Sequence, residues 1–310
     1  MAELEQRFIK TVRNTGILPP GSAVVAAVSG GSDSMAMLRM LHAFAGHMSW
    51  DLSVLHVHHG VRRSADDDAE MVRATAGLLD LPFSLRRLQP PGEGSLEAGL
   101  SALRHDVYEE AAGMGGLVAV GHTATDRAET LLMRLMEGAG LRGLGGMSYT
   151  GIGPVRRPML CFQRHELRGY LSDRGLVWAE DETNEDPAML RNRVRGELLP
   201  VLENICPGAV SRLAASAELL SGWRDYVDQA TADALRKLGS PSSLDREEYA
   251  GMPRQLRLSA LWTLCGRPRK GREELEKTDR WIMEGGFGEH RMPGGATLLA
   301  EASNLRIGDG

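Results

Sequence analysis

Cysteine is scarce in this 310-residue chain: Cys161, Cys206 and Cys265 lie 45 and 59 positions apart. There is no C-x-x-C pair, which excludes a zinc-type spacing and a disulfide framework, and leaves buried, inert thiols as the expected state. Aromatic residues make up 5% of the chain, too few for extensive base stacking on an open sheet. No run approaches the ~18 uninterrupted apolar residues that a membrane span needs. The first residues carry acids within an amphipathic pattern (Leu4, Phe8, Val12) and read as a helix rather than a targeting segment. The expected location is therefore cytoplasmic, with no membrane partner. An excess of positive charge is also missing: the net charge of −5 argues against a general polyanion binder.

What is present is the balance of an ordinary soluble protein, 42% hydrophobic and 25% charged, at a length that allows roughly two domains. Charge is unevenly spread. Arg254, Arg257, Arg267, Arg269, Lys270 and Arg272 fall in a stretch without Asp or Glu, whereas Asp66, Asp67, Asp68 and Glu180, Asp181, Glu182 form acidic clusters. A local basic face on an acidic protein is one reading of that pattern.

Over the first 200 or so residues, short apolar runs alternate with longer helical patterns, the signature of an α/β doubly wound parallel sheet. Strands are predicted at 23–28, 52–57, 83–88 and 117–120, and helices at 34–45, 65–79 and 95–112. Gly, Ser, His or Asp follows every strand but the third, as expected at the carboxyl edge where such sheets bind ligands. The Gly-rich stretch 138–153 is expected to form a shaped loop. Helical patterning resumes over 163–202, and 207–238 reads as one long helical connector. From about 240 the pattern suggests two short helices and a hairpin, a small α+β domain. The domain boundary is placed near residue 215, giving 1–215 and a mainly helical 216–310.

The strongest local signal is the apolar run AVVAAV leading through Ser29-Gly30-Gly31-Ser32-Asp33-Ser34 into a helical pattern. A buried strand passing through a Gly-rich turn to a helix start presents free backbone N–H groups at the positive end of the helix dipole, an arrangement that holds phosphate. No lysine follows the glycines, so this is not the G-K-[ST] triphosphate loop, nor is it G-x-G-x-x-G. A carboxylate at a phosphate site is repulsive unless a divalent cation lies between, so Asp33 implies Mg²⁺. The plainer alternative is that Ser-Asp-Ser only caps the helix.

SGGSDS at the end of a first strand resembles the pyrophosphate-binding loop of the N-type ATP pyrophosphatases, and the chain is similar within that superfamily to the tRNA(Ile)-lysidine synthetases. The resemblance runs to about residue 202. His56-Val57-His58-His59-Gly60-Val61-Arg62 corresponds to the family's H-V-N-H-G-L-R, with His58 in place of Asn. Gly121-His122-Thr123-Ala124-Thr125-Asp126-Arg127-Ala128-Glu129-Thr130 corresponds to G-H-x-x-D-D-Q-A-E-T, with Thr125 and Arg127 as departures. The run 132–147, Arg157-Pro158-Met159-Leu160 and Arg191-Asn192-Arg193-Val194-Arg195 complete the match, while the last hundred residues match only loosely.

The resemblance implies an adenine nucleotide alpha hydrolase-like fold with a catalytic domain over 1–215 and a tRNA-contacting domain over 216–310. It implies use of ATP and Mg²⁺ to join free L-lysine to C2 of the wobble cytidine in a tRNA(Ile) with a CAU anticodon, through an adenylated cytidine. ATP would be held by Ser29, Gly30, Gly31, Ser32, Asp33, Ser34, His56, Gly121 and His122, with Asp33 also holding the metal. Arg62 would neutralise phosphate charge, or pair on the surface with Asp66 to Asp68.

Asp126 and Glu129, three apart on a helix starting near Thr125, share one face. They would place or help deprotonate the amine, or be acids favoured by the helix dipole. Arg142, Arg157, Arg191, Asn192 and Arg195 are the expected tRNA contacts, the alternative being a charged face balanced by the acids at 180–186. The basic run 254–272 is a further candidate RNA surface. Two other functions remain open: a tRNA thiolase, which would need a sulfur carrier or cluster, and a non-catalytic nucleotide-binding regulator. The oligomeric state is open, a homodimer being one option.

Overall fold

The computed structural model describes residues 3–58, 65–88, 96–180, 189–240, 243–268 and 271–308. It forms two compact units, Met1–Ser221 and Gly222–Gly310. In the first unit, strands β1 (Ala23–Ala27), β2 (Asp51–His58), β3 (Phe83–Arg87), β4 (Leu117–Val120) and β5 (Val155–Arg156) make an all-parallel sheet in the order β3-β2-β1-β4-β5. Helices α1 (Glu3–Thr15), α2 (Ser32–Met48), α3 (Ala65–Leu78) and α4 (Leu96–Ala112) alternate with them, followed by α5 (Ala124–Met136) and α7 (Arg164–Ser172), with the single turn α6 (Leu141–Leu144) between.

The continuous apolar strands are explained by burial on both faces. Side chains alternate along β1, so Val24, Ala26 and Val28 join a core with Phe8, Met37, Leu41 and Leu167, while Val25 and Ala27 join a second core with Leu55, Val118 and Val120. Because every strand runs the same way, the carboxyl ends of β1, β2 and β4 and the loops that follow them share one edge. That edge carries the candidate chemistry.

Several expectations need adjusting. The stretch 138–153 is not all loop, since α6 lies within it, and the two-residue β5 is too short to leave a pattern in the sequence. Over 163–202 the described helices are α7, α8 (Leu190–Arg193), a π-helical turn at Val194–Leu198, and the start of α9 (Leu199–Ile205). Residues 181–186 of the acidic run lie outside the described residues. Helix α10 (Ala209–Leu238) is the long segment expected over 207–238. Cys206 is exposed rather than buried, whereas Cys265 is buried.

The second unit contains α11 (Arg246–Gly251), α12 (Arg254–Leu264) and α13 (Arg272–Met283). Its strands β6 (Gly239–Ser240), β7 (Ser243–Asp245), β8 (Gly288–Arg291), β9 (Thr297–Ala300) and β10 (Asn304–Gly308) form an antiparallel sheet in the order β6-β7-β10-β9-β8. This is more than two helices and a hairpin.

The basic run does not present a bare cationic face. Arg257 Nε lies 2.7 Å from Oδ1 of the buried Asp279, the arginine itself being half-buried, and Arg254 and Arg272 reach Glu276 at 3.8 and 3.1 Å. The acids missing from the run arrive from the following helix. Lys270 and Arg269 lie outside the described residues.

Candidate active site

β1 ends in a loop whose hydroxyls fasten the turn to itself. Ser29 N–H donates to Ser34 Oγ (3.1 Å), and Ser34 Oγ–H donates to the Gly31 carbonyl (3.0 Å). Gly30 has φ +98°, a conformation open to glycine at little cost. Its carbonyl accepts from Ala179 N–H (2.9 Å), so a distant segment closes over the turn. Gly31 is the N-cap of α2 and makes no side-chain cap, which leaves the first-turn amides without that intrahelical partner. These amides, beside the exposed Ser29, can receive an anion.

The end of β4 approaches this loop closely. A Cβ on Gly121 would lie 3.0 Å from both Ser34 N and Ser34 Cα, so the end of β4 and the first turn of α2 are held in contact by the lack of a side chain. Next to it, His122 Nδ1 is buried and has no hydrogen-bond partner. Burial drives its pKa down to about 4, with Asp126 opposing and arginines including Arg157 and Arg191 assisting, so the ring is neutral at pH 7. An orphaned buried ring nitrogen beside free amides is the feature expected where a polar ligand belongs.

Asp126 has two roles. Thr123 is the N-cap of α5, its hydroxyl accepting from Asp126 N–H while Asp126 Oδ2 accepts from Thr123 N–H (2.9 Å) and Oγ1–H (2.8 Å). This capping box satisfies part of the alternative reading of the acid. Its second oxygen, Oδ1, meets Arg164 Nη2 at 3.1 Å.

The same guanidinium gives Nε–H to Asp33 Oδ2 (2.9 Å) and lies 3.8 Å from Glu129. Arg164 thus ties the carboxyl groups of the phosphate loop and of α5 together. Burial raises the Asp33 pKa against the opposing pull of Arg164. Burial also works on Asp126, but there Arg164, His122 and the Thr123 donors prevail and its pKa falls.

Glu129, one turn further along α5, is wholly buried. Arg195 grips it with two bonds, Nε to Oε1 (2.6 Å) and Nη2 to Oε2 (3.0 Å), and Arg191 Nε lies 3.5 Å from Oε2. Arg195 sits in the π-helical turn just before Pro200. Proline has no N–H to give, and its ring crowds the carbonyl four residues back, so the helix widens there. Leu199 N–H consequently bonds Val194 O.

The remaining expected residues are distributed as follows. His56 is 3% exposed and places Nδ1 2.8 Å from the Val28 carbonyl, bracing the strand that feeds the loop. Ser32 Oγ donates to Asp33 Oδ1 at 3.4 Å. Arg157 Nη1 donates to the Ser148 carbonyl (3.0 Å), bracing the Gly-rich segment. Arg142 lies on α6, and Asn192 on α8 beside Arg191. Arg62 lies outside the described residues. Asp66, offered as its surface partner, pairs with Arg87 at 2.9 Å.

Arg164 is the residue the sequence reading missed. A signal existed: it occupies the first turn of α7, after the N-cap Gln163, where a cation opposes the helix dipole and calls for a compensating acid. The departures from the family pattern are also accommodated. Thr125 Oγ1 accepts from Arg164 N–H (3.2 Å). Arg127, 2% exposed, bridges Glu218 (2.9 Å) and the Met147 carbonyl (3.2 Å).

These groups fit a nucleotide with a divalent cation. Mg²⁺ is commonly held by one or two carboxylates plus phosphate oxygens, which Asp33 beside the loop could supply. No group of three or more His, Cys, Asp or Glu side chains placed to hold a metal occurs among the described residues.

Residues 1–202 match the family model of the PP-loop domain. A protein named tRNA(Ile)-lysidine synthase from Geobacter sulfurreducens is 39% identical over 79% of this chain and 56% of its own length. Another of that name, from Parasynechococcus marenigrum, is 33% identical over 94% of this chain and 90% of its own length. The chain therefore spans about half of one relative and nearly all of the other. Among solved structures, the U34-tRNA thiolase NcsA from Methanococcus maripaludis superposes with a TM-score of 0.58 at 18% identity, over 70% of this chain and 80% of that one. That likeness concerns the fold.

Proposed function

Since the chain belongs to the tRNA(Ile)-lysidine synthase family of PP-loop proteins, we propose that it ligates lysine to C2 of the wobble cytidine in a tRNA(Ile) with a CAU anticodon, consuming ATP. The observation that carries the reading is the convergence of an anion-receiving loop (29–34) with buried carboxyl groups on α5, through the shared Arg164. One element suits a departing pyrophosphate; the other suits a cationic amine.

In this reading the C2 oxygen of cytosine attacks the α phosphorus of ATP, and the bond to the β-phosphate oxygen breaks. Pyrophosphate leaves toward the amides of the 29–34 loop. Adenylation converts a poor leaving oxygen into a good one. The lysine ε-amine, having lost its proton, then forms the C–N bond at C2 as AMP departs. Asp33 would hold Mg²⁺, which supplies charge neutralisation at the phosphates. Arg62 would stabilise the transferring phosphate, and Asp126 with Glu129 would place the amine. Neutral His122 offers an uncharged ring to the nucleotide. Arg142, Arg157, Arg191, Asn192 and Arg195 would serve the RNA, and the work would take place in the cytoplasm.

The test combines purified chain, ATP, an unmodified tRNA(Ile) transcript and [¹⁴C]lysine. Label entering RNA, with one pyrophosphate released per lysine, supports the ligase. Incorporation of sulfur from a sulfur donor instead, or no pyrophosphate release with tRNA present, eliminates it.

A further inference from the structure

The outer face of α1 and α2 gathers bases that no acid neutralises. Helix α1 buries Phe8, Ile9 and Val12 and turns Lys10 and Arg13 to the other side. After Asp33, α2 carries no further acid, and its remaining charged or titratable residues are Arg39, His42 and His47. Lys10, Arg13 and His47 line one groove between the two helices, walled by Ile9 and Phe44. Among the described residues, none of these five bases forms an ion pair with an acid. Arg13 Nη2 donates instead to His47 Nε2, and the buried Nε of Arg39 has no hydrogen-bond partner. The segment around the neighbouring α7 differs, since Arg164, Arg168 and Arg174 meet acids at 2.9, 3.9 and 3.1 Å. In a chain with 41 acids against 36 Lys and Arg, this is the local basic face that the 254–272 run does not provide.

The surroundings decide which kind of anion suits it. No large apolar side chain of α1 or α2 is exposed, so the face lacks both the apolar centre of a protein interface and the apolar side of a membrane-surface helix. What it offers is charge alone, the contact that Lys and Arg make with a phosphodiester backbone. Its direction fits as well. At 1.5 Å per residue, Arg39 and His47 lie about 9 and about 21 Å along α2 from Asp33, so the bases lead away from the 29–34 loop, beyond the reach of an amino acid and within that of an RNA.

We propose that the α1–α2 face is a second RNA-backbone surface, outside the catalytic edge, where the phosphodiester chain of the substrate runs past Arg39 to Lys10 and Arg13. The inference rests on the reading of a tRNA as substrate and goes beyond it by giving the RNA a contact on the opposite reach of α2. Such a contact holds any RNA of suitable shape and leaves discrimination to the edge where the base is modified.

Filter binding of the tRNA(Ile) transcript to the full chain, without ATP and across a salt series, tests this. Lys10→Gln with Arg13→Gln should weaken binding and lower the slope of log affinity against log salt by about 1.4–1.8, with the same loss for an unrelated tRNA transcript. Lys10→Arg with Arg13→Lys, which keeps the charge, should keep the slope. Arg73→Gln with Arg86→Gln removes the same charge from exposed arginines paired with Glu70 and Glu110 and should leave the slope unchanged. In turnover, the first variant should raise the KM for transcript while kcat and the KM for ATP stay at wild-type values.

An unaltered slope in the Lys10/Arg13 variant overturns the proposal, as does an equal fall in the Arg73/Arg86 control. Self-association lost in the Lys10/Arg13 variant at unaltered slope also overturns it, assigning the face to a second copy of the chain. Because binding is read without ATP, a chain that binds transcript through this face yet incorporates no lysine sinks the ligase reading alone, and lysine incorporation with an unaltered slope sinks this inference alone.

Discussion

Replacing Arg257 by Met separates a structural role from an RNA-binding one. Asp279 is 3% exposed and accepts from Arg257 Nε–H (2.7 Å), Arg257 Nη2–H (3.1 Å) and Tyr249 O–H (2.9 Å), while Arg257 Nη1–H also donates to the Met252 carbonyl (2.8 Å). Methionine keeps much of the apolar stem, so the loss falls on the charge. A carboxylate left buried with one neutral donor destabilises a fold by roughly 3–5 kcal/mol, a large share of the ~5–15 kcal/mol that holds a domain.

With a denaturant slope of about 2 kcal/mol per molar, the urea midpoint of the transition that includes residues 222–310 should fall by roughly 2 M. It can be followed by the emission of Trp262 and Trp281, which pack against that core. Pairing the change with Asp279→Leu should recover more than half of the loss, because the stranded charge is gone. Transcript affinity, measured well below the transition, should stay within about twofold of wild type. An unmoved midpoint refutes the packing argument. A midpoint that holds while RNA affinity collapses would restore the basic run as an RNA surface.

Four further outcomes are expected. Asp33→Ala should abolish tRNA-dependent pyrophosphate release while transcript affinity, read by filter binding, is nearly intact; unchanged turnover excludes a metal role. Exchanging Arg191 and Arg195 together for Gln should weaken transcript binding and lower the slope of log affinity against log salt by about 1.4–1.8; an unaltered slope removes both from the phosphate contacts. His122 is held neutral down to about pH 4 in the fold but titrates near 6.5 when unfolded, so its contribution to stability is full above pH 6.5 and is lost as pH falls toward 4. His122→Gln should lessen the fall of the urea midpoint across that window, His56, whose pKa burial also lowers, keeping part of it, with Asp126, whose pKa is depressed, acting only at lower pH. Gly121→Ala would press a methyl on the Ser34 backbone and should raise the KM for ATP about tenfold or more, with the KM for lysine altered far less; equal effects on both would mean general disruption.

The order of the first four strands and the helices between them was legible from the sequence because burial on both sheet faces writes unbroken apolar runs such as 23–28, and because glycine and serine clusters mark where strands end. The 29–34 turn was legible for the same reason: its shape is local, carried by six consecutive residues and the helix that follows. Asp126 and Glu129 could be placed on one face of α5 by spacing alone.

Side chains that meet across long sequence separations were not legible. Arg164 joins Asp33 from 131 residues away and Arg195 joins Glu129 from 66 away, and nothing in a linear pattern records which arginine will face which acid. In the same way the run from Arg254 to Arg272 reads as a basic face until α13 brings Asp279 and Glu276 against it. The sequence by itself determined the parallel sheet, the edge at which its strands end and the glycine–serine turn that opens α2, because periodicity and backbone freedom are properties of neighbours. Only the tertiary structure decided which charges are spent on one another, because Coulomb attraction and desolvation depend on distance in space, and packing alone sets that distance.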